Sequence, residues 1–303
     1  MKPLFLACSD THLRDRRGDE QFAFKQIIDR AVKLEVDVIG AGDLLDKQSN
    51  RADVITFLYR QLDRLAKKGK KFYYTQGQHD FDDPPWFSGH EAAEHLHRQT
   101  LEFGEVTVYG LDWQPTGKLQ EEFAEIPEGV DMLIAHQVWG DWMGDIAAPQ
   151  GTFAQVPGHI KYLVTGDLHQ WKLEKKKNAD GEKMIVCSNG ATTQQKRDEP
   201  DEHFYSLFYP DLRFEQCKLK SRVVIDAGLM AKSEDLDKFI TEFEAELAAA
   251  EQRAAGGDYP PEIVKPYLNI EAKSVVTDAL RRIEKAVGDR AILRFKSRVP
   301  EEK

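Results

Sequence analysis

Aspartate and histidine residues follow five separate apolar runs of this sequence, where a predicted strand ends. The five segments that contain them are Ser9-Asp10-Thr11-His12, Gly42-Asp43-Leu44-Leu45-Asp46, Gly77-Gln78-His79-Asp80, Ala135-His136-Gln137 and Gly166-Asp167-Leu168-His169. In an open α/β sheet, ligands gather beyond the carboxyl ends of the strands. We therefore expect the five segments to converge on a single polar pocket.

The types and spacing of these residues suit divalent metal ions. Asp10 and His12 lie two residues apart, so an extended backbone directs both side chains to one side, and Asp167 and His169 repeat this arrangement. Asp43 is a carboxylate that can bridge two cations. Mixed oxygen and imidazole ligands favour hard or borderline ions such as Mn²⁺. Two such ions about 3.5–4 Å apart can clamp the attacking and leaving oxygens of an in-line displacement at phosphorus.

Each segment taken alone also has a purely structural interpretation. An aspartate at a strand end often forms a turn or caps a helix. A single histidine such as His136 is more often a buried core residue than a metal ligand. Five such segments in series, each closing an apolar strand, favour the interpretation as a metal site.

The elements that must position these residues alternate along residues 1–220. Strands are predicted at residues 4–8, 36–41, 72–75, 106–111, 132–135, 162–165, 184–187 and 204–208, and helices at residues 22–34, 54–65 and 91–101. Strands interleaved with helices predict a layered α/β domain with helices on both sheet faces.

A second, smaller domain is predicted over residues 221–303. A helical stripe begins at Leu236, glycine and proline residues break it at residues 256–261, and a β-α-β pattern follows. From residue 260 onward there are ten Lys and Arg against seven Asp and Glu, whereas the whole chain has a net charge of −10. This local basic bias suits an acidic partner, and a solvated charged face explains it equally well.

Composition excludes several classes of protein. The chain has 303 residues, of which 41% are hydrophobic and 31% charged, as in an ordinary globular protein. No apolar run approaches the roughly 20 residues that cross a bilayer, and Asp10 interrupts the N-terminal apolar run too early for a signal peptide. Three scattered cysteines argue against a disulfide framework or a thiolate zinc site. We expect a cytoplasmic protein with no membrane contact, and its acidic balance argues against binding of nucleic acid by bulk charge alone.

The order of the motifs resembles that of the calcineurin-like metallophosphoesterases. That family has the pattern D-x-H, G-D-x-x-D, G-N-H-D, H and G-H-x-H, and it folds as a two-sheet β-sandwich flanked by helices. The residues that match the pattern are Asp10, His12, Asp43, Asp46, His79, Asp80, His136 and His169. The C-terminal β-α-β pattern, with Lys265-Pro266-Tyr267-Leu268, resembles the DNA-capping domain of SbcD-type nucleases. Those proteins are manganese-dependent nuclease subunits of complexes that process double-strand breaks.

The resemblance implies a role for each matched residue. One ion would be held by Asp10, His12 and His169, with Asp43 as the bridge. The other would be held by Asp43, Gln78, His136 and Asp167. His79 would lie over the scissile phosphate as general acid or charge stabiliser, oriented by Asp80.

Two of these positions depart from the family pattern, and both belong to the second ion. Gln78 stands where the family has Asn, and Asp167 stands where it has the first His of G-H-x-H. Gln keeps an amide oxygen on a longer side chain, while Asp replaces a neutral imidazole by a charged oxygen donor. Either the two changes offset each other, with the ion displaced toward Asp167 and Mn²⁺ or Mg²⁺ favoured, or they weaken the second site.

The function implied is a Mn²⁺-dependent DNA nuclease, with Mg²⁺ as the other cation considered, acting as exonuclease, endonuclease or both in DNA end processing, repair or recombination. A homodimer through helical faces at residues 52–65 and 91–101 and an ATPase partner of the SbcC type are also implied. Arg14, Arg16 and Arg17 would contact phosphates, or they form a solvated charged loop. Two alternatives are a phosphodiesterase or phosphatase for small molecules or phosphoproteins, and a non-catalytic module that binds DNA ends.

Overall fold

The computed structural model describes residues 1–14, 18–46, 52–80, 85–143, 148–196, 199–230, 236–256, 264–272 and 277–297. Arg16 and Arg17 lie outside these residues. In chain order the strands are β1 (Phe5–Cys8), β2 (Asp37–Ala41), β3 (Phe72–Thr75), β4 (Ala93–His95), β5 (Thr100–Phe103), β6 (Val106–Leu111), β7 (Met132–His136), β8 (Tyr162–Gly166), β9 (Lys172–Lys177), β10 (Lys183–Ser188), β11 (Phe204–Phe208), β12 (Phe214–Lys218), β13 (Val224–Met230), β14 (Tyr267–Ala272) and β15 (Ile292–Ser297). The α-helices are α1 (Asp19–Leu34), α2 (Ala52–Ala66), α3 (Leu119–Ala124), α4 (Gly140–Met143), α5 (Leu236–Ala255) and α6 (Thr277–Val287).

The described chain divides into two compact units. The first unit contains most of residues 1–220. The second unit contains the residues from Ser221 onward, together with a short N-terminal segment that ends at Asp19. No helix in the described ranges is long and apolar enough to cross a membrane.

Two six-stranded mixed sheets form the first unit. The strand order is β12-β11-β1-β2-β3-β4 in one sheet and β5-β6-β7-β8-β10-β9 in the other. Strands β1 to β4 are mutually parallel, as are β6, β7, β8 and β10. The carboxyl ends of the parallel strands within each sheet therefore lie along one edge of that sheet.

The central strands of these sheets are buried on both faces, and alternation along β1 shows how. Phe5 and Ala7 belong to the core between the sheets, whereas Leu6 and Cys8 belong to the core beneath α1 and α2. Strands covered on both faces have continuous apolar sequences, which is why the sequence predicts them well. The α/β class and the sandwich of two helix-flanked sheets, expected from the sequence, are confirmed.

The predicted helix at residues 91–101 is wrong, because this segment forms β4, a turn and β5. Its Ala, Glu, Leu and Gln residues favour a helix locally, but β3 offers an open parallel edge that pairs with β4. Arg98, with φ of +56°, then turns the chain into the antiparallel β5–β6 hairpin. The predicted helical dimer face at residues 91–101 therefore does not exist, and the apolar stripe of α2 packs into the core of its own unit.

The second unit contains a three-stranded parallel sheet in the order β13-β14-β15. Its core includes Phe243 and Leu247 of α5, Leu268 of β14 and Ile283 of α6. The helical stripe and the β-α-β pattern predict α5, β14, α6 and β15, whereas no pattern predicted β13.

Candidate metal centre

The five predicted segments lie at the carboxyl ends of β1, β2, β3, β7 and β8. The loops after β1 and β2 stay paired beyond the strands, because Asp10 N donates to Gly42 O at 3.1 Å and His12 N donates to Asp43 O at 2.9 Å. These main-chain bonds place the first two segments side by side.

Four candidate ligands have a left-handed backbone. The φ angles are +48° at Asp10, +46° at His12, +52° at Asp43 and +73° at Asp167. Non-glycine residues seldom adopt such angles, and when they do they cluster at functional sites. Asp10, His12 and Asp43 carry side chains that meet at the centre, and Asp167 contacts Gln78 beside it.

Two glycines let the backbone approach these side chains closely. A Cβ on Gly77 would lie 2.0 Å from Asp43 Oδ1, and one on Gly42, where φ is +83°, would lie 2.3 Å from His136 Nδ1. Neither position has room for a side chain.

The outer group consists of Asp10, His12 and His169, whose ligand atoms lie close enough together to hold one ion. His169 Nε2 lies 3.3 Å from His12 Nε2 and 3.6 Å from Asp10 Oδ1. The side chain of His169 is 20% exposed, and both histidines line the cavity above the site, so this group can be reached from solvent.

The inner group consists of Asp10, Asp43 and His136, which are all buried. His136 Nε2 lies 3.3 Å from Asp43 Oδ2 and 3.8 Å from Asp10 Oδ1. The other ring nitrogen, Nδ1, lies 2.8 Å from the main-chain oxygen of Ala41, which fixes the orientation of the ring.

Asp10 belongs to both groups, and Asp43 Oδ2 of the inner group also faces His12 of the outer group. Asp43 Oδ2 lies 3.8 Å from His12 Nε2, 3.3 Å from His136 Nε2 and 4.0 Å from His79 Nε2. Asp43 Oδ1 accepts a hydrogen bond from His79 N at 2.9 Å, so Oδ2 is left to face the three rings. This geometry suits a carboxylate shared between two ions.

The pKa values in the centre reflect burial and mutual charge. Burial raises the pKa of Asp10 and lowers that of His12 to about 3. Burial also acts to lower the pKa of His136, but the carboxylates of Asp43 and Asp10 outweigh it and raise the pKa well above its ordinary value. At His169 burial is likewise outweighed, by a hydrogen bond with Glu199 and by Asp10, and the pKa is raised. Without metal the centre therefore favours protons on His136 and His169, which bound cations would displace.

Several buried polar atoms of the centre have no hydrogen-bond partner in the described residues. They are Asp10 Oδ2, Asp43 Oδ2, Gln78 Oε1 and His136 Nε2. Buried polar atoms are nearly always satisfied, so a cluster of unpaired oxygen and nitrogen donors needs a ligand. Carboxylate, amide and imidazole donors are those of divalent metal ions, so the residues present fit the metals that the sequence predicts.

The two positions that depart from the family pattern contact each other. Gln78 Nε2 donates a hydrogen bond to Asp167 Oδ1 at 2.9 Å. Asp167 is also tied to the centre through its main chain, because its N–H donates to Asp10 Oδ1 at 3.0 Å.

His79 lies at the mouth of the centre, with a side chain 36% exposed. The expected contact with Asp80 is not what the structure shows. Asp80 accepts hydrogen bonds from the main-chain N–H groups of Leu44 at 2.8 Å and Leu45 at 2.6 Å, whereas His79 Nδ1 has no partner in the described residues. Burial and the charge of Asp43 raise the pKa of Asp80 to about 7. Asp80 thus holds the Asp43 loop in place through the main-chain N–H groups of Leu44 and Leu45.

Arg14 lies at the cavity edge, but protein acceptors occupy its guanidinium. Its nitrogens donate to Glu20 Oε1 at 2.9 Å, Asp46 Oδ2 at 3.0 Å and Gln195 Oε1 at 2.6 Å. In this structure it joins three surrounding segments.

Glu199 is a residue of the site that was not predicted from the sequence. Its Oε1 lies 2.6 Å from His169 Nδ1, and its Oε2 accepts a hydrogen bond from Gln195 N at 2.6 Å. A carboxylate on the far nitrogen of a ligand histidine orients the ring and raises its basicity. Glu199 follows no strand and matches no motif of the pattern, so no signal in the single sequence distinguishes it.

A family model described as calcineurin-like phosphoesterase matches residues 3–171, and this chain belongs to that family. All residues of the outer and inner groups lie within the matched range. Membership implies a metal-dependent phosphoester hydrolase.

Among solved structures, the chain is similar to the crystal structure of TT1561 of Thermus thermophilus. The identity is 15%, the match covers 71% of this chain and 98% of that chain, and the TM-score is 0.46. A search of curated proteins found no match.

Proposed function

We propose that this chain is a Mn²⁺-dependent DNA nuclease of the SbcD-type branch, acting in DNA end processing, repair or recombination. The observation that supports this proposal is the cluster of buried, unpaired ligand atoms on Asp10, Asp43, Gln78 and His136, beside two groups of candidate ligands that share Asp10. The proposal extends to residues 221–303 as a DNA-capping domain, to a homodimer, to an SbcC-type ATPase partner and to a cytoplasmic location.

In this proposal the outer and inner groups, with Gln78, hold two divalent cations. Such cations supply Lewis acidity toward a phosphate ester and lower the pKa of water at neutral pH. The protein supplies a proton donor. His79 is placed at the cavity mouth, where it can donate a proton or a hydrogen bond to an oxygen of a bound phosphodiester.

The cavity above the centre has a volume of about 550 Å³. Its lining includes His12, Gln78, His79 and His169, and an exposed lysine, Lys196, also lines it. A volume of this order accepts one nucleotide unit of a longer chain, and it also accepts a small phosphodiester.

A lysine strip on the second sheet supports a polyanionic substrate over a small one. We define it as Lys175 and Lys177 of β9 and Lys183 of β10, all exposed. Lys177 lies directly opposite Lys183, an arrangement of like charges that costs stability, and no ion pair is formed by the three residues within the described ranges. β9 begins three residues after His169, and at about 3.3 Å per residue it extends roughly 17 Å away from the site. In a chain with a net charge of −10, such a strip suits the phosphates of a nucleic-acid backbone.

The proposal is tested by cleavage of end-labelled linear double- and single-stranded DNA with Mn²⁺, Mg²⁺ or a chelator. We expect Mn²⁺-dependent cutting that falls roughly 10²–10⁴-fold in His79→Ala, the range for loss of a general acid. His159→Ala is the matched control, since His159 lies in the turn before β8, at the opposite end of that strand from His169. It should cut as the wild-type chain does.

Two results would contradict the nuclease proposal. Hydrolysis of a small chromogenic diester without DNA cleavage would indicate a phosphodiesterase for small molecules or phosphoproteins. DNA binding that is indifferent to chelator, with no turnover of either substrate, would indicate a non-catalytic module that binds DNA ends.

A further inference from the structure

The hydrogen bond between Gln78 and Asp167 restricts how the amide of Gln78 can be oriented. A carboxylate can only accept hydrogen bonds, so the group that faces Asp167 Oδ1 at 2.9 Å must be the NH₂ of the amide. The amide oxygen therefore points away from Asp167. A neutral imidazole at this position can either donate or accept, so it would not impose one orientation.

The amide oxygen released by this orientation is buried and unpaired. Gln78 Oε1 has no hydrogen-bond partner in the described part of the chain, like Asp43 Oδ2 and His136 Nε2 of the inner group. The residues on either side of Gln78 contact Asp43, since His79 N donates to Asp43 Oδ1 and a Cβ on Gly77 would collide with that same oxygen. The segment that contains Gln78 is thus fixed against the inner group.

Asp167 is placed differently from the other candidate ligands of the centre. Among the described residues it belongs to none of the groups of side chains that lie close enough together to share an ion. Its Oδ1 is already occupied by Gln78, and its backbone N–H holds Asp10.

We infer that Asp167 is a positioning residue, which fixes the amide of Gln78 so that Gln78 Oε1 is the ligand offered to the inner ion. This inference depends on the metal centre of the proposed function but not on the identity of its substrate. The two departures from the family pattern then form one matched pair: the longer Gln reaches Asp167, and Asp167 directs the Gln oxygen inward. The hydrogen bond also polarises the amide and makes its oxygen a better donor to a hard cation.

The experiment is a double-substitution cycle on Mn²⁺ binding to the metal-free full chain, measured by titration calorimetry. The variants are Gln78→Ala, Asp167→Gly and the double substitution, and Gly is chosen because it tolerates the φ of +73° at residue 167. We expect each single variant to lose about 10–100-fold in affinity for one of two Mn²⁺ ions, as for residues that support a metal ligand. The double variant should bind no more weakly than Gln78→Ala, because Asp167 acts only through Gln78.

Three results would overturn the inference. Additive losses in the double variant would show that Asp167 is itself a ligand. Unchanged binding in both single variants would show that neither residue serves an ion, and a wild-type chain that binds only one Mn²⁺ would have no inner ion to serve. Thermal unfolding of the metal-free variants separates these results from a loss of fold, and Glu105→Ala controls for removal of an exposed carboxylate. No DNA is present, so failure of the nuclease proposal would leave the cycle interpretable.

Discussion

In the outer group of the metal centre a side chain orients the ligand ring, whereas in the inner group the main chain does so. His169 is held by Glu199, which lies 30 residues further along the chain, and it faces the cavity. His136 is fully buried and is held by the main-chain oxygen of Ala41, at the end of β2. The inner group is thus built into the sheets, while the outer group depends on a loop that a single substitution can release. The metal affinities of the outer and inner groups should therefore respond differently to mutation.

The largest effect is expected at Asp43, whose carboxylate faces a histidine of each group. Asp43→Asn removes the charge from the oxygen that faces His12, His79 and His136, so affinity for both ions should fall. Hydrolysis of a chromogenic phosphodiester should fall by at least ~10³-fold, since the shared carboxylate would position both ions. Calorimetry with Mn²⁺ and a steady-state assay measure the two effects.

The control for this prediction is Asp211→Asn, which neutralises an exposed carboxylate. If Asp43→Asn lost only one ion, Asp43 would serve one ion alone. The outer and inner groups would then bind their ions more independently than the geometry indicates.

A smaller effect, confined to one group, is expected at Glu199. Glu199→Ala removes the carboxylate that orients His169, so affinity for one Mn²⁺ ion should fall about 10–100-fold while the other is unchanged. Glu202→Ala, an exposed glutamate three residues away, is the matched control. An equal loss of affinity for both ions in Glu199→Ala would contradict this difference between the outer group and the inner group.

The smallest effect is expected outside the centre, on the lysine strip. Replacing Lys175, Lys177 and Lys183 by Gln should leave the hydrolysis of a small diester unchanged. The negative slope of log affinity for duplex DNA against log salt should become shallower by about 0.9 for each phosphate that the lysines no longer neutralise. Fluorescence anisotropy at several salt concentrations measures this slope, with a triple variant of the exposed Lys33, Lys67 and Lys118 as control.

An unchanged slope would remove the lysine strip from the proposed DNA surface. In that case the same variant should self-associate, because lysines on an edge strand also prevent pairing between sheets. Light scattering distinguishes the two roles.

Much of the fold was predictable because its signals are local. β3, β6 and β11 are found at their predicted bounds, since strands buried on both faces are continuous apolar runs. The mainly polar β9 has no such run, and its sequence Lys172–Lys177 fits the edge strand of a hairpin, which it forms with β10. The helix predicted at residues 91–101 was wrong for the opposite reason. The local sequence favours a helix, but the segment pairs with β3 as a strand instead.

The sequence by itself determined which chemistry this protein can do. Aspartate and histidine at the ends of successive parallel strands must meet at one edge of a sheet, whatever the details of the loops. That rule, with the order of the motifs, is enough to predict Asp10, His12, Asp43, His136 and His169 as neighbours.

Only the tertiary structure decided how those residues are supported. The contact of Glu199 with His169, the hold of Asp80 on the Asp43 loop and the bond between Gln78 and Asp167 join segments that are 30 to 89 residues apart. Such contacts depend on where loops come to rest after the strands have paired, and neither periodicity nor motif spacing encodes that. Ligand types are a property of the chain, whereas ligand orientation is a property of the packed fold.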